Sequence, residues 1–208
     1  MPRNATTLTL KLLGQAMTMT KKEALLLAAK ELFGEYGYAE TTFKKISERA
    51  GVALGLLTHH YGNKEKLFLA AGLDVLDDFI IKLREACAQG DTGYDSVMNF
   101  CRTYLDYSVT PESHFLVLVR CSPYSDMKTQ TDRDIMYEKF NQVPRELEYH
   151  VRRGIEDGSI KDLPAHETTS VLTCNLVGAI RTRLLTPYAP ANLYDEVLKF
   201  ISRSIKND

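Results

Sequence analysis

Apolar residues recur at every third or fourth position along most of this chain, while strict alternation and Asn-Gly or Asp-Gly turns between apolar runs are nearly absent. A chain patterned in this way can hide its apolar surface only by packing helix on helix. The fold class it predicts is all-α, with about nine helices. Its 208 residues, 44% of them hydrophobic, suffice for one sizeable core or for a small domain joined to a larger one. No window approaches the roughly 18 uninterrupted apolar residues of a membrane helix, so no membrane partner is expected. Arg3 precedes an apolar patch that Lys11 cuts short, which argues against a signal peptide. Residues 1–18 read as an N-terminal arm, and the chain as cytoplasmic.

Start and stop signals divide the pattern. A helix from Thr20 carries Ala24, Leu25, Ala28, Leu32 and Phe33 and ends at Gly37. Thr42 is an N-cap for a short helix that stops at Ala50-Gly51, and a second short helix covers about residues 53–60. Asn63 caps a long helix to about residue 88 whose seam runs Leu69, Leu73, Leu76, Phe79 or Ile80, Leu83 and Cys87. After Gly90 to Gly93 comes a helix with Val97, Phe100, Cys101, Tyr104 and Tyr107. Thr110-Pro111-Glu112 opens a short helix that holds Phe115 to Val119, and Ser125 to Asp132 read as a loop. A long helix follows, kinked at Pro144 and ending near Gly158, and two more cover about residues 166–185 and 192–205. The first of those two is apolar over most of its circumference and needs burial on two sides.

Two short helices joined through Ala50-Gly51-Val52 fit a helix-turn-helix, with Ile46, Ala50, Val52 and Leu57 filling the core between them. Charge agrees: residues 1–66 carry a net +4 and the remaining 142 a net −5, a basic head on an acidic body. The string TTFKKISERAGVALGLLTHHYGNKEKLF resembles the N-terminal signature of the TetR family of bacterial transcriptional regulators over residues 20–68. Beyond that stretch the similarity is one of layout, including the RRGIEDGSI turn at residues 152–160.

The resemblance implies a DNA-binding domain at 19–65 and a ligand-binding and dimerisation domain at 66–208. It also implies a homodimer paired through the last two helices, a palindromic operator in double-stranded DNA, and release by a small-molecule effector. Position by position, it puts Thr42 on a phosphate, with Lys44 and Lys45 beside the groove. Leu54, Leu56 and Thr58 take the base-facing side. His59, His60 and Tyr61 reach phosphates or close the small core, and Lys64 grips a phosphate.

The sequence departs from the family where Ala53 replaces a hydroxyl cap and leucines stand at 54 and 56. Two readings follow. In one the leucines meet thymine methyls in the major groove. In the other the head has weak or lost DNA binding and serves as a protein-interaction module. Adjacent histidines point about 100° apart on a helix, so His59 and His60 do not form a metal pair.

For the effector the aromatic stripe Phe100, Tyr104 and Tyr107, with Phe115, Leu118, Tyr137 and Phe140, suggests a mostly apolar pocket. Cys101, Arg120, Cys121, Asn175 and Arg181 are its polar anchors, and the ligand expected is hydrophobic or aromatic. The plain alternative for any one of these residues is ordinary core. The four cysteines, Cys87, Cys101, Cys121 and Cys174, have no metal or disulfide spacing and read as reduced, mostly buried thiols, with redox sensing as the alternative. No cofactor is expected. Neither a Gly-rich phosphate loop, nor G-x-S-x-G, nor H-E-x-x-H occurs, so the chain is not expected to be an enzyme.

Overall fold

The computed structural model describes residues 19–120 and 128–207, so the expected arm at 1–18 lies outside the described residues. Within them the chain forms nine α-helices and one 3-10 turn. The helices are α1 (Lys21–Glu40), α2 (Phe43–Ala50), α3 (Leu54–Tyr61), α4 (Lys64–Cys87), α5 (Gly93–Val109), α6 (Leu116–Arg120), α7 (Gln130–Glu156), α8 (Ala165–Leu185) and α9 (Leu193–Ile205). Among the described residues β-pairing is limited to an isolated antiparallel bridge between Ile160 and Lys206.

Local chemistry sets the helix starts. Thr20 and Glu23 form a reciprocal capping box at α1, Thr92 and Asp95 do the same at α5, and the Asn63 side chain accepts the Lys66 N–H at α4. Three expectations need correction. Gly37 does take a positive φ (77°), but its ψ of 176° is not a helical cap, and the chain adds one more helical turn to Glu40. The Thr110-Pro111 signal starts only a 3-10 turn, Pro111–Ser113, because His114 then adopts a left-handed conformation (φ 52°) and α6 begins afresh at Leu116. The expected loop at 125–132 ends earlier, since Gln130 to Asp132 already belong to α7. That helix runs to Glu156 with Pro144 inside it, close to the expected end near Gly158.

One buried cluster runs from α1 to α9. Leu25, Phe33, Ile46 and Leu57 fill the space among α1, α2 and α3, with Ala50 and Val52 packed partly buried against them, as the sequence suggests. Helix α4 extends that core with Leu67, Leu76, Phe79 and Leu83, so its two ends serve different neighbours. The start of α5 meets the end of α7 backbone to backbone: a Cβ on Gly93 would stand 2.0 Å from the Gly154 nitrogen. The Gly93 N–H also donates to Asp157 Oδ2 at 2.7 Å, and together these contacts fix the C-terminal end of α7. No helix among the described residues is long and apolar enough to cross a membrane.

Candidate nucleic-acid interface and effector cavity

The turn between α2 and α3 is built by Gly51, whose φ of 64° and ψ of 30° suit a residue without Cβ. Its N–H donates to the Glu48 carbonyl at 3.2 Å, and that of Val52 to the Ser47 carbonyl at 3.0 Å. At the other end of α2, Thr42 Oγ1 accepts the Lys45 N–H at 3.2 Å, and Thr42 is exposed. Lys44 beside it is also exposed, and its contact with Glu48 (3.9 Å) is a long surface pair of little strength.

Helix α3 turns a single leucine inward. Leu57 is fully buried, Leu56 is half-buried, and Leu54 is 48% exposed on the same solvent side as Thr58, His59 and His60. Ala53 supplies no side-chain cap, and Thr58 Oγ1 turns back to the Leu54 carbonyl at 3.2 Å. Tyr61, half-buried, donates its hydroxyl to the Lys22 carbonyl at 3.1 Å and so ties the end of α3 to α1.

Much of the basic charge counted from the sequence is already engaged within the fold. Lys45 Nζ donates to the Glu40 carbonyl at 2.8 Å and lies over the Tyr36 ring. Lys64 Nζ donates to the carbonyls of Thr41 (3.0 Å) and Ala39 (3.3 Å) and sits 4.3 Å from the Tyr38 ring centroid. Both ammonium groups satisfy carbonyls at the end of α1 that a helix leaves without partners. Arg49 pairs with Glu31 and Glu35, and Lys30 with Asp74.

On the far side of α4, helices α4 to α8 line a cavity of about 340 Å3 that opens to solvent beside the exposed Tyr137 and Val177. Of the residues expected there, Tyr104, Phe115, Leu118, Tyr137, Phe140 and Arg181 line it. Phe100 and Cys101 are buried but do not line it. Tyr107 turns its hydroxyl to Asp78 Oδ2 at 2.6 Å, and burial above all holds that phenol far above its ordinary range. Arg120 donates to the Glu35 carbonyl at 3.2 Å, a link from α6 to α1, while Asn175 bonds the Val171 carbonyl of its own helix. Cys121 lies outside the described residues. Phe79, Asn141, Pro144, Thr173 and Val177 line the cavity and were not singled out from sequence. Helical phase could have found Thr173, which shares a face of α8 with Val177 and Ile180, whereas Asn175 points about 200° away.

The cysteines that lie inside are inert. Burial pushes the thiols of Cys87 and Cys101 up to about 12, and Cys174 is exposed.

The first turn of α4 joins the two regions. Glu65 Oε1 accepts the backbone N–H groups of Lys128 and Thr129, both at 2.7 Å, which draws its carboxyl below the usual range, the Thr129 bond most strongly. Lys66 Nζ reaches Asp132 Oδ1 at 2.6 Å. Farther along the seam Lys139 pairs with Asp77 and Arg84 with Glu146.

Residues 25–71, which include both short helices and this first turn, match the sequence profile of the bacterial regulatory proteins of the tetR family. The head is a TetR-family domain. Curated relatives of this TetR-like chain include the HTH-type transcriptional repressor KstR2 of Rhodococcus jostii, 29% identical over 142 residues, 68% of each chain. Another is the HTH-type transcriptional repressor AcnR of Corynebacterium efficiens, 38% identical over 52 residues, which are 25% of this chain and 28% of AcnR. The match therefore spans under a third of the AcnR length. Among solved structures, a transcriptional regulator from Saccharomonospora viridis in complex with choline superposes with a TM-score of 0.78 at 15% identity, covering 90% of this chain and 98% of the other. That agreement extends the shared fold from the head through the helical body.

Proposed function

We propose that this chain is a transcriptional repressor that grips a palindromic operator as a homodimer and lets go when a small, largely apolar effector fills the body. One observation carries the reading: α4 begins directly behind the exposed face of α3 and supplies Leu76 and Phe79 to the cavity. A shift of that helix changes head position and cavity shape together. In a dimer reading half-sites about one helical turn apart, changing the separation of the heads lowers affinity. The two regions correspond to a DNA-binding unit at 19–65 and an effector and dimerisation unit at 66–208. The names of KstR2 and AcnR support repression, and the choline complex supports a body that receives a small molecule.

Pairing is supported by α8, where Val171, Cys174, Gly178 and Leu185 stay exposed along one stripe, with Phe200 exposed on α9. In the head, Thr42 and Lys44 contact phosphate, Leu54 meets a base methyl, and His59 and His60 stand at the rim of the groove. The test is a mobility-shift assay with the DNA upstream of the protein's own gene. The reading expects a salt-sensitive shift that Lys44→Ala weakens. Absence of any shift at low salt would remove it.

The exposure of Leu54 favours a second reading, in which α3 docks on another protein. That reading expects DNA affinity and its salt slope to be unchanged in Lys44→Ala.

A further inference from the structure

The polar side chains around the cavity are mostly committed. Thr173 Oγ1 donates to the Thr169 carbonyl at 2.8 Å, Arg181 donates to the Val119 carbonyl at 3.2 Å, and the Asn141 amide lies beside Arg145, whose guanidinium its oxygen meets when the amide is turned. Tyr104 differs. It is 9% exposed, set edge-on to Phe79 (centroids 4.8 Å) and near Phe115 (6.0 Å), and its hydroxyl makes no hydrogen bond among the described residues. Burial also pushes the phenol up to about 12, so the group is a neutral donor at physiological pH. A hydroxyl that faces the cavity among aromatic rings can give one hydrogen bond to a guest.

Charge narrows what can accept it. Five aromatic rings could cage a cation, as aromatic boxes do for quaternary ammonium groups. Here no Asp or Glu lines the cavity, and its formal charge is the Arg181 guanidinium on an exposed stretch of α8. A cation would lose its hydration with no carboxylate to replace it. Size narrows it further, because about 340 Å3 lies near the small end of ligand sites.

We propose that the cavity takes a small, uncharged, ring-based compound bearing one carbonyl or hydroxyl oxygen, and that the Tyr104 hydroxyl holds that oxygen. The assignment rests on the effector reading above and names its chemical class. Tyr104 is a specificity residue: it selects for an oxygen at one depth in an otherwise apolar cavity, and the rings supply affinity.

Calorimetric titration of the full chain with three naphthalene probes tests this. The probes are 2-acetylnaphthalene, 2-ethylnaphthalene and (2-naphthylmethyl)trimethylammonium, which share a ring and differ in the group offered to Tyr104. The wild type is expected to favour the acetyl over the ethyl probe by about fivefold or more, and to bind the ammonium probe weakest. Tyr104→Phe is expected to weaken the acetyl probe about five- to tenfold and leave the ethyl probe unchanged. Tyr107→Phe, whose hydroxyl is engaged by Asp78, is expected to change neither. If Tyr104→Phe does not fold, the wild-type preference for acetyl over ethyl decides by itself.

Equal binding of acetyl and ethyl probes, an unaltered acetyl affinity in folded Tyr104→Phe, preference for the ammonium, or no binding of any probe overturns the proposal. A bound acetyl probe that leaves DNA affinity unchanged instead removes the effector reading and keeps the assignment of Tyr104.

Discussion

Lys66 reaches from the first turn of α4 to Asp132 in the first turn of α7, closing to 2.6 Å on a carboxylate that is fully buried and whose second oxygen has no hydrogen-bond partner. The cation is half-exposed and the anion is not. Removing the lysine therefore strands a buried charge, whereas removing both charges strands nothing. Lys66→Met is expected to lower stability by about 1–3 kcal/mol, reduced from the fully buried case by solvent at the lysine end. Lys66→Met combined with Asp132→Leu is expected to recover most of that loss. Thermal unfolding of the two variants checks it, and equal instability in both would show that the pair adds nothing beyond packing.

The leucines of α3 separate stability from recognition. Leu57→Ala removes a fully buried side chain from the core among α1, α2 and α3, and is expected to cost about 2–5 kcal/mol. Leu54→Ala is expected to change unfolding by less than about 0.5 kcal/mol and to alter which duplexes are retained in selection from random sequence. Denaturant titration together with that selection would reveal a reversed order, which would mean that α3 is buried differently.

Cys174 provides a reporter of pairing. Because it stands on the exposed stripe of α8 while Cys87 and Cys101 are sealed, a short bis-maleimide is expected to join two chains through Cys174. In a Cys121→Ser background Cys174→Ser is expected to abolish the cross-link, and Val171→Glu, at an exposed position outside the cavity wall, to convert the species seen by light scattering to a monomer without loss of helical circular dichroism. A wild-type monomer at micromolar concentration would contradict the expected dimer.

Acid sensitivity is expected from two histidines. Burial lowers the His114 pKa, helped by Lys30, and burial lowers that of His150 although Glu146 at 3.3 Å opposes it. Each is thus harder to protonate folded than unfolded, whose ordinary value is near 6.5. Stability is full above that value and falls as the pH drops through it toward the folded-state values, where the unfolded chain holds more protons. Melting temperature is expected to decline between pH 7.5 and 5.5, and His150→Gln with His114→Asn to flatten the decline. Asn suits position 114 because it tolerates a positive φ. An identical pH profile in that double variant would assign the effect elsewhere.

The sequence made the helices legible where caps and periodicity coincide. Thr42, Gly51 and Asn63 each mark a boundary with their own side chain or missing Cβ, and the structure places the boundaries there. It was misleading where one local signal had to compete with tertiary contacts: Thr110-Pro111 opens a helix in principle, yet His114 reverses the chain so that Phe115 can enter the aromatic cluster. For the cavity, aromatic content pointed to the right helices, but which side of each helix faces inward depends on packing across residues far apart in sequence. Arg120 and Asn175 have the right chemistry and face elsewhere. The commitments of Lys45 and Lys64 to backbone carbonyls were invisible for the same reason, since a charge count does not record what each charge already touches.

Pro144 has no N–H to offer the Phe140 carbonyl, and both residues stand in the cavity wall. Helix α7 is held at its beginning by Glu65 and Lys66 and at its finish by the Gly93–Gly154 contact. A beam clamped at both supports and missing one rung at midspan bends there first. On the proposed reading, a guest large enough to press on that wall is expected to deflect α7 at its centre and pass the strain to the supports, one of which adjoins the helix-turn-helix head.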